Sequence, residues 1–389
     1  MLLAKINFFD ELFDKGTIPS FITGIAYKKN NDTFFKVENP NRNKIGNKNL
    51  YSVRLVPNYI KISTDKSFNM KRVIQENKGY AIQLNGFTDV DDYVKHQFKK
   101  RSNNILKLKK RLDTCLNTSY EKYYGDIPKK TYVFLMTNLR LMLTRRFEQR
   151  KEVNKTLSNW QELENLVYNL ILNKKASLFA IYHNSEPIQI SLQYHFNHIV
   201  HAGITAYDID YQKFGLGNTA IYEQIGWCYS NKQQVLELGY GDLDYKRAWS
   251  NYMYNFEHLI FYKKKWFAAI KGKTEYCSVK TKEFLKTKHV HLFLKHIGVK
   301  IKKFGKHKTV PKSNASLRYI KKNIENLNGY ADLKEIDIND KRTIKRMSND
   351  FLFSNKERYD DLKVFEISSE KGSYIFSGKN KIELVKTTI

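Results

Sequence analysis

Alternating apolar and polar residues predict strands in the first quarter of the chain. Residues 17–90 contain two such stretches, SFITGIAYKKNNDTFFKVEN and LYSVRLVPNYIKIST, separated by Asn, Gly and Lys clusters that are typical of turns. Over residues 87–115 the apolar spacing becomes helical, and Thr88 with Asp91 forms a predicted helix cap. We therefore expect a strand-rich beginning followed by a long helix.

Two more helices and a three-stranded meander are predicted next. The apolar spacing favours helices over 129–152 and 157–175, the second of them capped by Ser158 and Asn159. The period then changes to that of strands in ASLFAIYHNSEPIQISLQYHFNHIVHAGITAYD, which contains three strand-like runs. Polar turns at 184–187 and near Asn197 separate these runs, as in an antiparallel meander.

A glycine-rich turn follows the meander and leads into another helix. In QKFGLGNTAIYEQIGW, Gly215 and Gly217 stand between a strand and a helix that ends near Tyr229. The strand QVLELGYG, a helix that begins at Asp242 or Asp244 and the strand EHLIFYKKKW complete the series. The order is therefore strand, glycine turn, helix, strand, helix and strand.

Weaker patterns occupy the two ends of the sequence. MLLAKINFFDELFDKG carries acids within its apolar part, so it predicts a short amphipathic helix and not a signal peptide. Beyond Ala269 we predict a basic helix over 281–297, a lysine-rich linker over 302–312 and a hairpin that turns at Lys371 and Gly372.

Composition describes a globular, basic chain without a membrane span. The 389 residues are 41% hydrophobic, and no run of about 18 uncharged apolar residues occurs. The formal net charge of +29 favours anionic partners, although lysines on solvated faces would give the same excess. The three cysteines are widely spaced, which predicts reduced thiols and a cytoplasmic location.

No metal site is predicted from the histidines. His195, His198 and His201 are spaced by three, which would place them on one face of a helix, but their sequence is strand-like. On a strand this spacing sends neighbouring side chains to opposite faces, so the three rings do not converge.

The glycine turn has the properties of an anion site. The first backbone N–H groups of a helix have no acceptor within the helix, and the helix dipole adds partial positive charge there. Glycine lets a phosphate approach these groups closely. The spacing lacks the third glycine of the dinucleotide fingerprint and the Gly-Lys-Ser/Thr of a Walker loop. A simple turn is the alternative interpretation.

The element order and two motifs resemble the GNAT acyltransferases. Their pyrophosphate loop, Arg/Gln-x-x-Gly-x-Gly/Ala, is matched by Gln212, Gly215 and Gly217. ELGYGDLDYKRAW over 237–249 is similar to a signature of the CelD-like (cellulose-biosynthesis) acetyltransferase branch, to which Fem-type peptidyltransferases are related. The resemblance covers residues 130–264 well and 79–129 loosely.

This resemblance implies the α/β (α+β) GNAT fold, with a degenerate GNAT-like half before it in many family members and an extension after it. We therefore expect an N-terminal half at 1–128, a GNAT acyltransferase domain at 129–270 and a basic helix, linker and small extension at 271–389. The implied activity is transfer of an acyl group from acetyl-CoA or another acyl-CoA to an amine on an amino sugar or an envelope or glycan precursor, without a metal.

The resemblance also assigns site residues. The residues expected to bind the acyl-CoA are Gln212, Lys213, Phe214, Gly215, Leu216, Gly217 and Asn218. The residues expected to act in catalysis are Asp208 and Asp210 as acids near the loop and Tyr245 as proton donor to the thiolate. The residues expected to bind the acceptor are Glu237, Asp242 and Lys246. The alternatives are that the two acids before the loop cap a turn, that Asp242 is a helix N-cap and that Lys246 is a surface lysine.

Two other functions stay open at this point. A Fem-like transferase would take its acyl group from aminoacyl-tRNA, for which the charge of +29 is suitable, but the sequence has no long coiled-coil insertion. A nucleic-acid-binding protein with an inactive GNAT core would use lysine-rich segments such as 107–111 and 302–308. The acyl group, the acceptor and the oligomeric state do not follow from the sequence.

Overall fold

A computed structural model describes residues 3–29, 32–41, 48–153, 155–288, 318–330 and 332–388. The strands are β1 (Ala4–Asn7), β2 (Ile22–Lys29), β3 (Asp32–Glu38), β4 (Leu50–Pro57), β5 (Ile60–Thr64), β6 (Phe68–Gln83), β7 (Thr118–Tyr123), β8 (Ala176–His183), β9 (Glu186–Phe196), β10 (Ile199–Tyr207), β11 (Val235–Tyr240), β12 (Tyr252–Lys263), β13 (Arg318–Ile324), β14 (Leu333–Glu335), β15 (Lys363–Ile367), β16 (Ser373–Ser377) and β17 (Ile382–Thr388). The helices are α1 (Val90–Phe98), α2 (Ser102–Cys115), α3 (Lys129–Arg150), α4 (Lys155–Ser158), α5 (Trp160–Leu172), α6 (Leu216–Ser230), α7 (Asp244–Trp249), α8 (Trp266–Thr287) and α9 (Arg342–Asn355).

The chain forms two compact units. Unit 1 consists of the described residues of Met1–Gly86, Tyr194–Gly203 and Asn231–Thr309, and unit 2 consists of those of Phe87–Gln193, Ile204–Ser230 and Val310–Ile389. Each of the three segments expected from the sequence contributes residues to both units, and the boundaries expected at 128 and 270 stay a prediction.

Unit 1 is built on a mixed sheet with the strand order β1-β4-β12-β6-β11-β10. β12 pairs antiparallel with β4 and β6, and β11 pairs antiparallel with β6. β10 and β11 pair in parallel over only three positions, which end where His201 lies opposite Glu237. The antiparallel strands β3-β2-β5 form a second small sheet in this unit.

Helix α8 covers one face of the unit 1 sheet. Val279 on the helix packs into a buried apolar cluster with Leu50, Val73 and Ile260 of the strands. Gly272 permits this close approach, because a Cβ atom there would lie 2.6 Å from the ring of Tyr262. The helix and the sheet therefore meet without space for a larger residue.

Unit 2 combines the meander with an α-helical layer and a separate C-terminal sheet. The meander strands follow the order β10-β9-β8-β7, and the C-terminal strands follow the antiparallel order β13-β17-β16-β15-β14. One buried cluster joins Leu112 of α2, Phe214 before α6 and Phe351 of α9. The C-terminal extension is therefore part of the core that lies beneath the glycine turn.

Most predicted elements are present, and several boundaries need correction. The predicted long helix over 87–115 is two helices, α1 and α2. The N-cap of α1 is Asp89 and not Thr88, because the Asp89 carboxylate accepts the N–H of Asp92 at 2.8 Å. The expected N-terminal helix is a strand followed by a π-helical turn at Asp10–Asp14.

The C-terminal predictions differ in their outcomes. The first part of the basic helix expected over 281–297 is the end of α8, which begins at Trp266. The rest of the expected helix, beyond residue 288, lies outside the described residues. The expected linker over 302–312 also lies outside them. The hairpin at Lys371 and Gly372 is confirmed by the antiparallel pair β15 and β16. Within the described ranges, no helix is both long and apolar enough to span a membrane.

Candidate functional site

The glycine turn of unit 2 gives its two glycines different roles. A 3₁₀ turn over Ile209–Phe214 ends at Gly215, which has φ +69°, and α6 begins at the next residue. This left-handed conformation strongly favours glycine. A Cβ atom on Gly215 would also lie 3.1 Å from Cδ1 of Leu108. At Gly217 the nearest atom would be a ring carbon of Tyr207 at 4.0 Å, so there is open space above this residue.

Two backbone N–H groups begin α6. The N–H of Asn218 donates to the carbonyl of Gly215 at 2.9 Å, and that of Thr219 donates to the same carbonyl at 3.2 Å. Leu216 and Gly217 are the first two residues of α6, so their N–H groups have no acceptor within that helix. Because α6 is 15 residues long, its dipole adds to these two donors, and the pair can bind an anion.

The two acids before the turn are held by an arginine. Asp208 is the N-cap of the 3₁₀ turn and accepts the N–H of Asp210. Arg145 of α3 donates to Asp208 at 2.6 Å and to Asp210 at 2.7 Å, as a fork between the two carboxylates. Burial is the largest cause of a raised pKa at Asp210, and Arg145 opposes it. This geometry favours a role in positioning the turn, and the catalytic assignment stays a prediction.

Helix α9 also contacts the glycine turn. Asn349 donates its amide to the carbonyl of Asp210 at 3.0 Å, and Asp350 pairs with Lys213 at 2.9 Å. The ring of Phe353 lies edge-on to Phe214, with centroids 5.4 Å apart. The side chain of Phe214 is fully buried, and only backbone atoms of this predicted ligand-binding residue can reach a ligand.

The remaining predicted loop residues differ in accessibility. The side chain of Leu216 is buried, whereas that of Gln212 is exposed and Asn218 is half-buried. Leu216 therefore offers a ligand its N–H group and not its side chain. The side chain of Gln212 is accessible to a ligand.

A buried polar cluster in unit 1 contains two of the predicted acceptor residues. Glu237 is fully buried on β11, and its carboxylate accepts the hydroxyl of Tyr59 and the N–H of Gly239, the latter at 2.7 Å. Lys246 of α7 is only 7% exposed, and its ammonium donates to the carbonyl of Tyr240 at 2.7 Å. Lys246 is therefore not a surface lysine, which corrects that alternative.

Burial shifts the pKa of each titratable group in this cluster. The pKa of Glu237 rises to about 7, chiefly because its charge is removed from water. The same cause lowers the pKa of Lys246 to about 8 and that of His201 to about 4. Among the described residues no carboxylate lies within 4.0 Å of the Lys246 ammonium, which leaves two of its three donors for a ligand. Such shifts are typical of functional sites.

Two predicted residues of unit 1 are exposed. Asp242 accepts the hydroxyl of Tyr80 at 2.8 Å and forms an ion pair with Arg247. It is not a helix N-cap, because α7 begins at Asp244 with Leu243 in the capping position. Tyr245 is 43% exposed on the same short helix. Both side chains are accessible to solvent.

Arg145, Tyr59 and His201 are partners of the predicted site residues that no sequence pattern identified as such. Tyr59 is separated from Glu237 by 178 positions, and Arg145 is separated from Asp208 by 63. A lone tyrosine or arginine at such a distance gives no local pattern. The sequence contained one signal for such a partner, the position of His201 on the strand that precedes the glycine turn.

Comparison with protein families identifies the class of fold. Residues 135–247 match the family model described as an acetyltransferase (GNAT) domain. This span contains the meander, the glycine turn, α6, β11 and part of α7. The predicted α/β GNAT fold is therefore confirmed. No curated protein matches the chain.

Several solved structures are similar to about half of the chain. FemX is 10% identical over 55% of this chain and 73% of its own, with a TM-score of 0.40. A conserved protein of unknown function from Bacteroides thetaiotaomicron is 10% identical over 55% of this chain and 70% of its own, with a TM-score of 0.37. A tandem GNAT protein from the clavulanic acid biosynthesis pathway is 7% identical over 59% and 74%, with a TM-score of 0.29.

Proposed function

We propose that the protein is an N-acyltransferase that moves an acyl group from acyl-CoA to an amine acceptor. The observation that carries this proposal is the start of a 15-residue helix at Leu216 and Gly217 in a GNAT domain, where the N–H groups have no acceptor within the helix. A diphosphate is the kind of anion that such a helix start binds. The space above Gly217 lets it approach the backbone.

The proposed carrier site uses the backbone of 215–218 and two side chains. Gln212 and Asn218 would add polar contacts to the phosphates. Lys213 already pairs with Asp350, but it is 38% exposed, so a phosphate can compete for its charge. The proposed donor is acetyl-CoA or another acyl-CoA.

The end of the parallel pairing between β10 and β11 suits the thioester. Where two parallel strands separate, backbone N–H groups lose their partners on the neighbouring strand. A backbone N–H group of a residue after His201 can therefore polarise the thioester carbonyl. The amine nitrogen then bonds to the carbonyl carbon, the C–S bond breaks, and the amine proton goes to a carboxylate. Asp208 or Asp210 is the proposed carboxylate, and Tyr245 is the proposed donor of a proton to the leaving thiolate.

The proposed acceptor residues are Glu237, Asp242 and Lys246. The two free donors of the buried Lys246 ammonium fit a carboxylate or phosphate on the acceptor. The resemblance of 237–249 to the CelD-like signature supports an amino sugar or a glycan precursor. The three free cysteines fit a reducing compartment, so we propose that the reaction takes place in the cytoplasm.

Calorimetric titration of the full chain with CoA tests the carrier site. Gly217→Leu should weaken CoA binding by at least about tenfold, because the side chain would cover the first N–H groups of α6. Gly226→Leu, on the same helix with its nearest neighbour Val90 at 3.8 Å, is the matched control.

Equal CoA affinity in Gly217→Leu and in the unsubstituted protein would overturn the proposal. If CoA neither binds nor raises the melting temperature while tRNA binds in a salt-dependent manner, the aminoacyl-tRNA alternative is favoured instead. The net charge of +29 is the observation that keeps this second function open.

A further inference from the structure

Unit 1 contains a cavity that the proposed acyl transfer does not use. Its volume is about 770 Å³, and its walls come from β1, β4, β6, β12 and α8. Small-molecule sites typically measure about 300–1,000 Å³, so this cavity has the size of a ligand site. The proposed carrier site at 215–218, called the carrier loop from here on, belongs to the other unit, so the cavity is a separate feature.

A β-bulge in β4 directs an arginine to this cavity. β12 pairs with Val53 and Val56 of β4, and Arg54 and Leu55 between them interrupt the regular register. Leu55 has φ +57°, a left-handed conformation that is uncommon for a branched apolar residue. Its freed N–H donates to the side chain of Gln75 at 2.7 Å, in a buried bond. Bulges of this kind re-aim side chains, and here Arg54 is exposed along the cavity wall.

The acids that line the cavity already have partners from the protein. Glu275 accepts the hydroxyl of Ser52 at 2.8 Å. Glu283 accepts the backbone N–H of Glu76 at 3.0 Å and the ammonium of Lys286 at 2.6 Å. Their negative charges are therefore stabilised without a ligand.

Three cations that line the cavity have no such partner. Across the described part of the chain, no carboxylate lies within 4.0 Å of the side-chain nitrogens of Lys5, Arg54 or Lys282. Asp10 is close enough for its charge to interact with Arg54, but its carboxylate accepts the amide of Asn7. Three unpaired cations from β1, β4 and α8 therefore surround one space.

We propose that this cavity binds a phosphorylated small molecule. The planar guanidinium of Arg54 can form two hydrogen bonds to one phosphate, and Lys5 and Lys282 supply point charges for further phosphate oxygens. Ile6, Val279 and other apolar lining residues would contact the organic part of the molecule. This site adds a second anionic ligand to the proposed function.

Calorimetric titration of the full chain with inorganic triphosphate tests the proposal. The double variant Arg54→Gln, Lys282→Gln should weaken binding by at least about tenfold. The control is Arg140→Gln, Lys66→Gln, which removes the same charge from exposed positions outside the cavity. Gly217→Leu should leave triphosphate binding to this cavity unchanged, which separates it from the carrier loop.

Vesicles of phosphatidic acid distinguish two sources of the phosphate. If the protein sediments with the vesicles and the Arg54→Gln, Lys282→Gln variant does not, the ligand is a lipid headgroup. If the protein binds triphosphate but does not sediment with the vesicles, the ligand is a soluble molecule. Equal weakening in both double variants would overturn the proposal, because it would indicate only general attraction to a basic surface. Absence of triphosphate binding, or binding that only Gly217→Leu removes, would also overturn it.

Discussion

The two glycines of the glycine turn, Gly215 and Gly217, should respond in opposite directions to the same substitution. Gly215→Ala places a side chain on a backbone with φ +69°, which costs about 1–2 kcal/mol, and it brings the new Cβ to 3.1 Å from Leu108. Gly217→Ala meets nothing closer than 4.0 Å and reduces the freedom of the unfolded chain, which stabilises by about 0.4–1 kcal/mol. The two variants should therefore differ by roughly 2 kcal/mol in unfolding free energy.

Urea denaturation followed by circular dichroism measures this difference. Gly226→Ala on α6 is the control for helix propensity, because its Cβ would have only an ordinary contact of 3.8 Å. It should stabilise the protein about as much as Gly217→Ala without changing CoA binding. If Gly217→Ala destabilises the protein as much as Gly215→Ala, the described geometry of the glycine turn is wrong, and the proposed anion site at the start of α6 is wrong with it.

Three further predictions concern other parts of the molecule. Asn349→Ala should lower the unfolding free energy by about 1–3 kcal/mol, because the carbonyl of Asp210 loses its buried donor; no loss in urea denaturation would contradict this. The pKa of Glu237 in the folded protein is about 7, above its ordinary 4.5, so its stabilising contribution is complete below pH 4.5 and is lost as the pH rises through about 7. Glu237→Gln should remove this pH dependence, on the order of 3 kcal/mol, and parallel stability–pH curves for the two proteins would refute it. Gly272→Ala should destabilise by about 1–3 kcal/mol, because its Cβ would lie 2.6 Å from Tyr262, and an unchanged melting temperature would show that α8 can move away.

Local sequence patterns predicted the meander and the helices around the glycine turn well. The turn at Asn184 and Ser185 has positive φ at both residues, as a two-residue hairpin requires, and its polar residues stand out between apolar runs. The helix α3 has buried leucines at 135, 139 and 143, which repeat at the helical period. Where one face of an element is buried and its boundary residues are distinctive, the sequence contains the needed information.

Contacts between distant positions could not be predicted in this way. Glu237 was singled out as part of a motif, but its burial depends on Tyr59 and on the position of His201, which only the folded sheet brings together. The bulge at Leu55 also has no local signal, because a leucine in a left-handed conformation is stabilised by Gln75 from another strand. Sequence patterns describe which face of an element is apolar, whereas these sites depend on which elements become neighbours.

The support that α9 gives to the glycine turn has a consequence for protein synthesis. Asn349 and Asp350 leave the ribosome more than a hundred residues after Asp210 and Lys213, with which they pair. Until α9 is synthesised it cannot bury the apolar ring of Phe214, so a nascent or shortened chain would expose an aggregation-prone apolar surface there. A fragment trimmed to the matched span 135–247 should therefore aggregate, and expression of this span in folded form should require the C-terminal sheet as well.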